Sequence, residues 1–275
     1  MTYATLMVHL HLGRPNAGLL LTASNLAERF QAGVIGVAAC QPIQLVYSDG
    51  YIAGDVFERD REQKDQEIRD AEAEFRTAFR ARANTLEWRS TVTLASTSEW
   101  VVDEARSADL VITGVAAADM FDPGHCADVG ELVMRAGRPV LVVPPGAGTP
   151  RLERAMIGWK DTRETRRAVA DALPLLQKMT CVTVAEVAGK DDLAAARSHV
   201  GDVAGWLARH GVMADTLVAQ QDGDDAAQLD SIARDRGADL VVAGAYGHSR
   251  LREWALGGVT RSLLKHLDRC SLLSH

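Results

Sequence analysis

Ala238-Asp239-Leu240-Val241-Val242-Ala243-Gly244-Ala245-Tyr246-Gly247 is the stretch whose reading decides the fold. The run from Ala238 to Ala243 is apolar and bounded by turn residues, which predicts a buried strand. Gly244 and Gly247 then open a loop; nine residues later come Gly257-Gly258-Val259-Thr260. Leu263, Leu264 and Leu267 follow at i, i+1, i+4, the spacing of one apolar face of a short helix over Val259–Leu267. Strand, glycine loop and helix start together make an anion site. Glycine allows close backbone approach and positive φ, and the first N–H groups of a helix have no partner within it.

Working outward, the same pattern occurs 130 positions earlier as Ala108-Asp109-Leu110-Val111 with Gly114. A single internal period of this size predicts two homologous domains. Pro144-Pro145-Gly146-Ala147-Gly148-Thr149-Pro150 concentrates turn formers and reads as the linker, so the domains are expected at 1–146 and 151–275. In the first, strands are predicted at Thr5–Leu10, Val34–Cys40, Leu86–Leu94, Ala108–Gly114 and Pro139–Pro144, with helices at Ala17–Phe30, Val56–Ala83, Ser98–Ser107 and Glu131–Ala136. In the second, strands are predicted at Ala155–Trp159, Cys181–Ala185, Ala214–Ala219, Asp239–Ala243 and Cys270–Leu273, and helices at Arg163–Gln177, Leu193–His210, Leu229–Arg236 and Val259–Leu267. Strands alternating with helices give a parallel sheet covered on both faces, and such sheets bind ligands beyond the carboxyl ends of their strands.

Bulk composition agrees with this architecture. Only 5% of the 275 residues are aromatic, so the cores are expected from Ala, Val, Leu and Ile. A net charge of −7 argues against nonspecific nucleic-acid binding and leaves any phosphate to local N–H groups. Cys40, Cys126, Cys181 and Cys270 include no C-x-x-C pair, which points to a reducing, cytoplasmic setting. No signal peptide or membrane-spanning run is read.

Gly244, Gly247, the nine-residue gap and Gly257 resemble the G-x2-G-x9-G-(S/T) loop of the ATP-binding universal stress proteins. Trp159-Lys160-Asp161-Thr162-Arg163-Glu164 and Ala170–Leu176 are similar to the opening of the family's commonest bacterial subgroup. The resemblance implies two tandem Rossmann-like α/β domains of five parallel strands each, ordered 3-2-1-4-5. It also implies a pseudo-dimer made through the fifth strands, and leaves a homodimer open. The implied ligand is an adenine nucleotide, ATP, AMP or ADP, with or without Mg2+. Lys160 stands where members place an acid that contacts adenine or ribose, with Asp161 one step on. Asp161 also reads as a helix cap before Arg163. By the same resemblance Val184 and Ala185 contact the base through backbone, Ala243, Gly244, Gly247 and His248 flank ribose and phosphates, and Gly257, Gly258, Val259 and Thr260 supply N–H groups and one hydroxyl. Gly258 replaces the family's Ser or Thr. The first domain departs from the loop: Val115, Ala116 and Ala117 follow Gly114, and Asp128 lies where phosphate would sit. It is expected to bind no nucleotide.

The expected role is regulatory nucleotide binding during stress, with at most weak ATP hydrolysis. No catalytic residue is assigned, since no base or arginine clamp for an attacking water is visible, and His248 has no carboxylate to orient it. Arg250 and Arg252 read as a solvated loop. His9 and His11 share a strand face, and His125-Cys126 lies elsewhere, but no third ligand appears at metal-site spacing, so no metal is assigned. An interaction scaffold with an unknown protein partner, or an adenylyl-transfer enzyme, are the alternative readings.

Overall fold

The computed structural model describes residues 2–43, 55–115, 126–145, 151–245 and 268–275. By packing the chain divides into two units, Tyr3–Ala136 and, with the extreme N-terminus, Gly137–His275.

In the first unit the elements follow as β1 (Thr5–His9), α1 (Ala17–Phe30), β2 (Gly33–Cys40), α2 (Asp55–Phe79), β3 (Leu86–Val92), α3 (Thr97–Glu104), β4 (Leu110–Gly114) and α4 (Val129–Arg135). The strands are parallel and run in the order β3-β2-β1-β4. β1 and β2 are almost wholly buried, as continuous apolar runs require, whereas β3 at the end of the sheet is half-exposed. On α2 the apolar spacing predicted from the sequence brings Phe75 and Phe79 into the core, where Phe75 also stacks on Trp88 of β3.

The second unit contains β5 (Val140–Val143), β6 (Arg154–Gly158), α5 (Arg163–Leu176), β7 (Cys181–Ala188), α6 (Leu193–Arg209), β8 (Ala214–Gln220), α7 (Asp225–Asp235), β9 (Leu240–Gly244) and β10 (Cys270–Ser274). Its strands run β8-β7-β6-β9-β10, the 3-2-1-4-5 order, all parallel. β5, the last strand of the first sequence repeat, adds to this sheet antiparallel to β10, pairing Leu141 with Leu272. The helix predicted at Val259–Leu267 lies outside the described residues.

One repeated device registers both sheets. Asp109 Oδ2 accepts from the N–H groups of Ala4 and Thr5 at 2.8 and 2.9 Å. Asp239 accepts from those of Glu153 and Arg154 at 2.9 and 3.0 Å. In return Asp109 N–H donates to Thr5 O and Asp239 N–H to Arg154 O, both at 2.9 Å. The Ala-Asp-Leu-Val repeat is thus a carboxylate that ties the start of the fourth strand to the start of the first.

Side-chain caps set the starts of α7 and α5, and at α7 the start differs from the sequence reading. α7 starts at Asp225, where the Asp224 carboxylate accepts from Ala227 N–H at 3.1 Å. α5 is capped by Thr162, whose hydroxyl accepts from Thr165 N–H at 3.3 Å. The capping role read for Asp161 is therefore corrected: its carboxylate pairs with Arg166, at 2.7 and 3.1 Å.

Candidate functional site

In the second unit the strand order reverses between β6 and β9, and the carboxyl ends there form the crevice in which such sheets bind ligands. Register fixes what lines it. Gly158 at the end of β6 pairs with Ala185 of β7 on one side and Ala243 of β9 on the other. The floor is a row of three small residues. Trp159 N–H continues the ladder by donating to Ala185 O at 2.7 Å, so one lone pair of that carbonyl is in use. Val184 is buried one step below, opposite Ile157.

Gly244 ends β9, and its missing side chain has a packing cause. A Cβ there would lie 2.6 Å from Glu164 C and 2.8 Å from Thr165 Cα, and against Thr165 N, all in the first turn of α5. Beyond it Ala245 stays tied to β10, donating to Ser274 O at 2.8 Å. Lys160 and Asp161 are exposed in the loop that leads to α5. Gly247, His248, Gly257, Gly258, Val259 and Thr260 lie outside the described residues, as do Arg250 and Arg252.

The corresponding positions of the first unit are filled. His9 ends β1 and pairs with Val37 and Thr113, so His9, Val37 and Thr113 stand where the second unit has Gly158, Ala185 and Ala243. His11 takes the place of Lys160, and a Cβ on Gly114 would sit 3.3 Å from its Cε1. The His9 and His11 rings meet edge to face, centroids 5.3 Å apart. Burial pushes His9 down to about 3, with His11 adding to the effect. Burial, then the charge of Arg14, pushes His11 down to about 4. Asp128 caps α4 by accepting from Glu131 N–H at 2.7 Å, so a carboxylate already occupies that helix start.

The sequence reading missed Glu186. It sits inside the apolar run of β7, 8% exposed, with Oε2 3.5 Å from His199 Nδ1 of α6. Burial raises its carboxyl above the usual range and Asp161 pushes the same way, while His199 and Lys160 oppose them. Glu186 is therefore within electrostatic reach of the Lys160–Asp161 loop. A lone acid in a strand of Val, Thr and Ala was the available signal. Between α5 and α6 lies a groove of about 460 Å3, lined by Trp159, Arg166, Val169, Asp202, Val203, Trp206 and Arg209.

Fold and crevice define a tandem doubly wound α/β protein. Residues 153–273 match the model of the Universal stress protein family. The chain is similar over 98% of its length to a universal stress protein from Archaeoglobus fulgidus, covering 95% of that chain, at 10% identity and a TM-score of 0.77. A putative universal stress protein from Pseudomonas aeruginosa UCBPP-PA14 is similar over 99% of this chain and 93% of its own, at 13% identity and a TM-score of 0.62. At these identities the likeness is one of fold, and both neighbours extend across both units. No match was found among curated proteins.

Proposed function

We propose that the second unit binds an adenine nucleotide, ATP, AMP or ADP, at the carboxyl ends of β6, β7 and β9, as a regulatory ligand. The observation that supports this most is the contrast between equivalent crevice floors: Gly158, Ala185 and Ala243 in one unit, His9, Val37 and Thr113 in the other. A base and ribose need depth at the strand ends, which small residues leave and an imidazole takes away. In the sequence the glycine-rich segment Gly244–Thr260 follows β9 directly and would offer backbone N–H groups to phosphates. Lys160 would add a point charge for phosphate, and Asp161 a carboxylate already shared with Arg166. The first unit serves as a structural partner. Hydrolysis is at most weak, because no residue is assigned to activate water. A cytoplasmic setting fits the four free cysteines, and no described helix is long and apolar enough to cross a membrane.

Equilibrium dialysis of the purified chain against labelled ATP tests the reading. About one nucleotide per chain is expected, with affinity lowered at least tenfold in Gly257→Asp, where a carboxylate enters the phosphate loop. Lys160 at an acid's position and Gly258 at a hydroxyl's position favour a second reading, a nucleotide-independent interaction scaffold. No uptake at millimolar ATP would decide for the scaffold.

A further inference from the structure

The face of α6 turned to α5 carries Asp202, Val203, Trp206 and Arg209 at i, i+1, i+4 and i+7, and with Trp159 and Val169 they line the groove of about 460 Å3. That volume is the scale of a small-molecule site. The first unit shows the same place closed by packing. Leu10 N–H donates to Val37 O at 2.9 Å, as Trp159 N–H does to Ala185 O, but Leu10 is fully buried and α1 packs against α2. The second unit puts an indole there instead, 7% exposed, whose Nε1–H has no hydrogen-bond partner. A buried donor left unpaired costs stability, so in the wall of a groove it calls for an acceptor from outside the chain. Two charged groups of the lining are also unengaged. Among the described residues neither Asp202 nor Arg209 makes a hydrogen bond or ion pair, whereas Arg166 is already paired with Asp161 at 2.7 Å. Arg209 folds back along its helix, as helical side chains do: a Cβ on Gly205 would lie 4.0 Å from its Nη1. That brings the guanidinium a turn closer to Asp202. Trp206 makes its ring contact with His210, centroids 4.3 Å apart, and none with Trp159.

We propose that this groove binds the zwitterion of a free aromatic amino acid. The ligand's ring lies against the indoles, where aromatic pairs gain beyond burial alone, with Val169 of α5 and Val203 of α6 completing an apolar slot. Its carboxylate takes the guanidinium of Arg209 and the indole N–H, which are donors only. Its ammonium takes the carboxylate of Asp202, which is an acceptor only. The unengaged charges of the lining, one of each sign, sum to zero and so match a ligand without net charge. A phosphate ester would instead meet the Asp202 carboxylate. The groove lies beside the crevice proposed for nucleotide, and the assignment does not rest on that reading.

The test is equilibrium dialysis of the full chain against labelled L-tryptophan. About one equivalent is expected to bind. Asp202→Asn and Arg209→Gln, both on the surface, are each expected to weaken it about tenfold or more, the loss of one charge-assisted bond. Indole-3-acetate, which lacks the ammonium, and tryptamine, which lacks the carboxylate, are expected to compete about tenfold less well than L-tryptophan itself. No uptake at millimolar L-tryptophan, or uptake unchanged in both variants, overturns the site. Equal competition by either analogue, or by L-leucine, overturns the assignment to an aromatic zwitterion. Labelled AMP separates the groove from the crevice: uptake that falls in the same two variants would make the groove a nucleotide site and overturn the assignment, and AMP uptake indifferent to them supports it.

Discussion

Gly244 and Gly158 flank the same crevice and differ in what surrounds them. A methyl group on Gly244 would press on the backbone of α5, which has no rotamer with which to yield, while on Gly158 the nearest atom is Leu229 Cδ1 at 3.8 Å. Gly244→Ala is expected to destabilise the chain by about 1–3 kcal/mol, as overpacked sites do, and Gly158→Ala by less than about 0.5 kcal/mol; urea denaturation measures both. The glycine was legible as a strand-end signal, but its use was not, because contact with α5 is a matter of tertiary packing. His9 and His11 allow a pH prediction. Their values are lowered from the ordinary 6.5 to about 3 and about 4, so the unfolded chain takes up protons that the folded chain excludes. The stability they contribute is complete above 6.5 and is lost as pH falls from there toward the folded values. Between pH 7 and pH 5 the loss is expected to be about 2 kcal/mol for each ring. His11→Gln should flatten the fall of urea midpoint with acid; an unchanged slope would refute the assignment.

At the level of elements, polar side chains set the ends that periodicity left vague. Alternation and apolar runs gave every described strand, since burial dictates them directly. The start of α5 was read correctly at Arg163, but that of α7 was not: Asp224 caps it through a single bond whose geometry a sequence does not display. The acidic residue of each Ala-Asp-Leu-Val segment was read as part of a repeat, whereas its role is to bind two amides of the first strand in each unit. Removing that carboxylate leaves two strand-start N–H groups to water. Asp239→Ala is expected to cost about 1.5–3 kcal/mol, the range for hydrogen bonds to a charged group, as measured by thermal unfolding. Glu186 escaped notice for the opposite reason. Its neighbour His199 comes from α6, thirteen residues on, and only folding brings them within 3.5 Å.

For the whole molecule, the repeat was legible in sequence and, through the resemblance, so was the pairing of the fifth strands; the unit with which β5 packs was not. β5 ends the first repeat in the chain yet packs in the unit Gly137–His275, against β10. Its four buried residues, Val140–Val143, cover an edge that would otherwise present unpaired N–H and C=O groups. A fragment of residues 137–275 is therefore expected to melt cooperatively as a monomer. A fragment of residues 151–275, lacking β5, is expected to melt lower or to dimerise through β10, which size-exclusion chromatography distinguishes. Indistinguishable fragments would contradict the division. The central claim, that one unit takes the nucleotide and its repeat does not, is tested most directly by hydrogen–deuterium exchange of the full chain with and without saturating ATP. Protection is predicted at residues 158–161, 184–187 and 243–260. Protection at residues 9–14 and 113–128 instead, or none anywhere, would contradict it.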